Sequence, residues 1–110
     1  MPRELEHRMW RQLKGAFAVN ELVFVEDCDE LQKALLATGD TYKVFLEPKG
    51  HRRITDMPDC EDIVFILGST SMHNLRFVNP EDAYRINTPK QTHLYGINAA
   101  AIALACRVGQ

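Results

Sequence analysis

Apolar residues recur along this chain with two periods. From residue 3 to 18, Leu5, Met9, Leu13, Ala16 and Phe17 fall three or four apart, while Arg8, Arg11, Gln12 and Lys14 lie off the stripe; that spacing predicts an amphipathic helix. Three short unbroken runs follow, Leu22 to Val25, Val44 to Leu46 and Ile63 to Leu67. Such runs mark strands covered on both faces, as in a parallel sheet. Between the first two, Asp29 can cap a helix from Glu30 to about Thr38, with Gly39 to end it.

Residues 48–61, with Pro48, Gly50 and Pro58, read as a long connection with one helical turn near Thr55. A second connection, 69–82, contains Asn79-Pro80-Glu81-Asp82, a turn signal before a fourth strand at 83–87. That strand alternates Tyr84 and Ile86 against Arg85 and Asn87, which predicts a less enclosed position than the other three. A final helix from His93 to Arg107 is built on Ala99, Ala100, Ala101, Ala103 and Ala105. Small side chains on several of its faces let it approach a sheet on one side and a second subunit on the other, so a homodimer is expected.

The sum is an α/β fold: one domain over residues 1–110, with a mostly parallel sheet of about four strands and flanking helices. A length of 110 residues allows one real core and no second module. The hydrophobic share of 45% and charged share of 25% are those of a soluble globular protein. With no signal peptide and no apolar run long enough for a membrane span, the expected location is cytoplasmic. Cys28, Cys60 and Cys106 are too far apart and too few for a disulfide framework or a zinc knuckle, and His7, His73 and His93 lack ligand spacing, so no metal is expected. A net charge of -2 excludes a nucleic-acid binder that uses its whole surface, but not one with a local basic patch. Lys49, His51, Arg52 and Arg53 form such a cluster, suited to RNA phosphates or simply solvated.

In open parallel sheets, ligands lie beyond the carboxyl ends of the strands. Here those ends are Leu67-Gly68-Ser69 and Ile86-Asn87-Thr88, followed by Leu94-Tyr95-Gly96 at the start of the last helix, with Asn98 one turn in. Gly68 and Gly96 allow a ligand to lie against the backbone, whose free N–H and C=O groups can hold an adenine edge. Strand and helix alternation alone is equally compatible with an unknotted, flavodoxin-like nucleotide binder.

The order IVFILGS, YRINTP, LYGINAAAIALA resembles the second and third motifs of the SpoU/TrmH-type RNA 2′-O-methyltransferases of the SPOUT superfamily, and LKGAFAVNELVFVED resembles the helix and strand that follow their first motif. The resemblance covers most of the chain. It implies an α/β trefoil knot at the C-terminal end, S-adenosylmethionine held by the knotted loops, a homodimer, and methylation of a ribose 2′-hydroxyl in tRNA or rRNA. The family's first-motif strand has no counterpart before Leu13, so the chain reads as a minimal version. Gln12 stands where the family has its catalytic Arg and Glu6 near its Asn; Thr70 replaces a Glu, His73 a Gly, and Gly96 and Asn98 the third-motif Asn and Ser. Arg11 and Arg8 are the nearest cations to the missing one and the candidates for assisting proton removal from the hydroxyl. A non-catalytic relative, serving as a dimeric binding or regulatory module, is the alternative reading.

Overall fold

The computed structural model describes residues 3–68, 78–86 and 96–108. The chain divides into two compact units, residues 1–41 and 42–110.

The first unit holds two helices. Helix α1 (Arg3–Ala16) has Glu4 and Glu6 in its first turn and Lys14 in its last, charges that complement the helix dipole. Its end is a Schellman motif: Val19 N–H donates to Lys14 C=O at 2.9 Å and Ala18 N–H to Gly15 C=O at 3.3 Å. The left-handed position falls on Ala18, at φ 52°. Helix α2 (Cys28–Ala37) starts at Asp27, whose carboxylate accepts from Glu30 N–H at 2.8 Å, while Glu30 Oε2 accepts from Glu26 N–H at 2.9 Å. The cap therefore lies two residues before the expected Asp29, because Asp27 and Glu30 satisfy each other's neighbourhood as a capping box does. Gly39, at φ 63°, follows the helix as expected.

Leu22–Val25 is not a strand in the structure. Phe24 instead stacks on His7 of α1, with ring centroids 4.3 Å apart, and Val23, Phe24 and Val25 all remain exposed. No described residue of the first unit is buried, and Leu36 of α2 is 82% exposed. About 40 residues seldom enclose a core unaided, and this unit follows that rule.

The second unit carries a four-stranded, all-parallel sheet. Strands β1 (Tyr42–Leu46), β2 (Arg52–Arg53), β3 (Ile63–Leu67) and β4 (Tyr84–Arg85) are ordered β2-β4-β1-β3. β1 and β3 pair from Tyr42–Ile63 to Leu46–Leu67. Alternate residues Tyr42, Val44 and Leu46 therefore share a face with Ile63, Phe65 and Leu67. On this face lies the core, Val44, Leu46, Ile54, Met57, Tyr84 and Ala103. Full burial of a side chain such as Val44 stabilises by about 1.5–3 kcal/mol. Helix α3 (Gly96–Val108) meets β3 and the 3₁₀ turn Ile54–Asp56. Ala100 and Ala103 are the buried contacts, small enough to let the helix backbone come close.

Two further expectations change. Arg52 and Arg53 lie in a strand rather than a loop. Tyr84, expected in a less enclosed strand, is 1% exposed, because β4 is flanked by β2 on one side and β1 on the other. The helical turn expected near Thr55 is present, as is a second 3₁₀ turn at Pro80–Asp82, where Asn79-Pro80 signalled a turn. The expected knot falls on segments 69–77 and 87–95, outside the described residues.

Candidate functional site

The carboxyl ends of β1, β3 and β4 stand side by side. Leu46 pairs with Leu67 on one flank and with Tyr84 on the other, so residues just past these pairs converge at one edge of the sheet. Leu67 is half-buried, Gly68 exposed, and Ile86 half-buried immediately after β4. Gly96 is the first residue of α3, half-buried, and Asn98 is exposed within the first turn. Ser69, Asn87, Thr88, Leu94 and Tyr95 lie outside the described residues.

Between the ends of β3 and β4 sits Glu47, which sequence reasoning missed. It is 5% exposed, the buried charged residue among those described. Its N–H donates to Tyr84 C=O at 2.8 Å, carrying the β1–β4 ladder one residue past β1, and its C=O accepts from Gly50 N–H at 3.1 Å. A Glu between an apolar run and Pro48 reads as an ordinary turn residue, so nothing in the sequence marks it.

The turn that follows is held tightly. A Cβ on Gly50 would come within 2.7 Å of the Ala83 carbonyl carbon and oxygen and 2.9 Å of Tyr84 C, so only glycine fits. Arg85 Nη1 donates to Gly50 C=O at 3.1 Å and His51 C=O at 2.7 Å, and His51 N–H donates to Pro80 C=O at 2.8 Å. This turn therefore has a fixed backbone beside the strand ends.

The basic cluster is partly engaged. Arg52 Nε donates to Glu81 C=O at 2.9 Å, its Nη2 reaches Asp82 Oδ1 at 3.3 Å, and its guanidinium lies 5.8 Å from the Tyr84 ring centroid. Arg53 faces Asp56 at 3.7 Å. Neighbouring Tyr84, by hydrogen bonding first and by its charged form second, raises Arg52 above its already high value, so the guanidinium stays charged throughout. Lys49 and His51 are exposed on the same turn. Arg8 and Arg11 are exposed on α1 in the first unit.

Among the described residues, no group of His, Cys, Asp and Glu is arranged to hold a metal ion, and no helix is long and apolar enough to cross a membrane. Cys28, Cys60 and Cys106 are not joined in disulfides, and each is half-buried. No known protein family, characterised protein or solved structure matches the chain.

Proposed function

We propose that the chain is a SPOUT-like protein that binds S-adenosylmethionine at the carboxyl ends of its parallel strands and, as a homodimer, methylates a ribose 2′-hydroxyl in tRNA or rRNA. One observation carries the reading: the register that sets Glu47, Gly68 and Ile86 past the paired ends of β1, β3 and β4, in the position where open parallel sheets take ligands. The residues there fit such a cofactor. Leu67, Gly68, Ile86 and Gly96 offer backbone groups to an adenine, and the two glycines carry no side chain to stand in its way. When bound, the cofactor supplies the electrophilic methyl group. The chain's own part is to hold a cation near the ribose hydroxyl, a role for which Arg11 and Arg8 are the candidates.

The dimer has separate support. The first unit buries none of its described residues, and α3, packed through Ala100 and Ala103, leaves Ile102 at 38% and Val108 at 72% exposure. An apolar helix face and a coreless helical pair are surfaces that a second copy can cover.

A second reading, a non-catalytic module that keeps the ligand and the dimer, is favoured by one feature: Gln12 occupies the position of the family's catalytic Arg. Calorimetric titration with S-adenosylmethionine tests the shared part of both readings. Saturable heats at micromolar to submillimolar ligand are expected, and heats no larger than dilution would refute it. Transfer of labelled methyl groups to total tRNA and rRNA then separates enzyme from module.

A further inference from the structure

We infer that residues 22–25 are a docking segment that adds, as an extra β-strand, to the open sheet edge of a partner protein whose edge carries lysine or arginine. Leu22, Val23, Phe24 and Val25 have the composition of a strand, with no glycine or proline among them, yet lie in neither a helix nor a sheet. Among the described residues, their backbone N–H and C=O groups make no hydrogen bond. Val23 is 55% and Val25 38% exposed, so the side chains are open as well as the backbone. A sheet edge laid alongside such a run satisfies both at once.

The run is held at both ends. On its N-terminal side Val19 N–H donates to Lys14 C=O at 2.9 Å, closing α1, and on its C-terminal side Glu26 N–H donates to Glu30 Oε2 at 2.9 Å in the cap of α2. In the middle, Phe24 rests on His7 of α1, with ring centroids 4.3 Å apart. Side chains alternate along an added strand, so Val23 and Val25 share the face opposite Phe24 and can fill pockets of the partner. Little conformational freedom is left to lose on docking.

Charge selects the partner. Glu21 precedes the run and Glu26, Asp27, Asp29 and Glu30 follow it, all exposed, with no lysine or arginine between residues 15 and 32. Two copies of the run paired with each other would set Glu21 against Glu26, or against its own counterpart, and like charges directly opposite disfavour pairing. A basic edge meets no such repulsion and is steered to the run by its opposite sign.

The test is a titration of the isotope-labelled full chain, with amide hydrogen exchange read by NMR, against a cyclic β-hairpin peptide whose edges alternate valine and lysine. The same hairpin with glutamate in place of lysine is the control. The lysine hairpin is expected to saturate and to bind about tenfold or more tightly than the control. Alternate amides, Leu22 and Phe24 or Val23 and Val25, should become protected, the pattern of a strand paired along one edge. Glu21→Lys combined with Asp29→Lys, neither in a cap hydrogen bond, should weaken the lysine hairpin about tenfold. Absence of binding, equal binding of the two hairpins, binding without that protection, or a folded double variant that binds as wild type does overturns the inference. Protection of these amides already in the free chain also overturns it, since the run is then covered without a partner. If the double variant does not fold, the two hairpins on wild type decide.

Discussion

The phenol oxygens of Tyr42 and Tyr84 lie 2.7 Å apart, joining the start of β1 to the start of β4 although the ladder pairs Tyr84 with Leu46. The two rings thus lean toward each other along the sheet. Their hydrogen bond ties the first residue of β1 to a residue level with its last. Tyr42 is raised above its ordinary value, first because its hydroxyl is hydrogen-bonded to Tyr84 and then because it is buried.

That shift has a sign in stability. The folded protein holds the Tyr42 proton more tightly than the unfolded chain does, so the pair contributes fully below about pH 10, the unfolded value. Above it the unfolded chain loses the proton first, and stability falls as pH rises through the folded value. Tyr42→Phe should lower stability near pH 7 by about 1 kcal/mol and make the alkaline decline shallower. Urea unfolding between pH 7 and 11 measures both; an equally steep decline in the variant would contradict it.

Gly50 and Gly15 should respond oppositely to alanine. At Gly50 the new methyl meets backbone atoms at 2.7 Å, which cannot rotate aside, so Gly50→Ala should cost about 2–3 kcal/mol. At Gly15, inside α1, nothing lies within 4 Å, and Gly15→Ala should gain about 0.5–1 kcal/mol from helix propensity. Denaturant midpoints of the two variants should move in opposite directions.

Ala18 occupies the left-handed position that ends α1, where a Cβ is strained. Ala18→Gly should relieve that strain and stabilise the helix terminus by about 1 kcal/mol, with a higher melting temperature by circular dichroism. A fall in melting temperature would mean that Ala18 makes contacts worth more than the strain.

The behaviour of particular segments shows what the sequence could and could not say. β1 and β3 were legible because Val44–Leu46 and Ile63–Leu67 are apolar runs that also find each other in register. Leu22–Val25 has the same composition, yet lies along α1 through Phe24. An apolar run states that side chains avoid water; a strand further requires a backbone partner, which composition does not supply. Arg52 and Arg53 show the converse. Their strand is secured by the bare backbone of Gly50 against Ala83 and by the Arg52 side chain on Glu81, neither of which leaves a hydrophobic pattern. At the site, Gly68 and Ile86 were placed by strand ends that periodicity could locate. Glu47 was not, since only the pairing of β1 with β4 reveals that the residue after Leu46 is buried.

The basic turn separates fold from phosphate contact. Arg52 is tied to Glu81, Asp82 and Tyr84, so Arg52→Ala should lower the denaturant midpoint slightly. Lys49 is exposed on the fixed turn. If that turn meets RNA, Lys49→Ala should leave stability unchanged and reduce the salt slope of RNA affinity by about 0.7, one phosphate contact on a single strand. Binding measured between 50 and 200 mM salt, a range that spans strong and weak screening, checks this; an unchanged slope would remove Lys49 from the interface.

The last prediction concerns chemistry on α1. A 2′-hydroxyl becomes nucleophilic as its proton leaves, and a nearby guanidinium stabilises the developing negative charge without needing to titrate. Arg8 and Arg11 are exposed there, with no role in a buried core, and Gln12 beside them is uncharged. If the protein is a methyltransferase, Arg8→Ala or Arg11→Ala should reduce turnover by about 10²-fold while cofactor affinity stays within about twofold of wild type. Thermal stability should be unchanged, as expected for solvent-facing side chains. The two residues lie three apart, roughly 60° around the helix, and so share one face, from which both can reach the ribose. Activity lost in neither variant would place the catalytic cation elsewhere. Absence of methyl transfer by wild type, with cofactor binding intact, would leave the non-catalytic module as the reading.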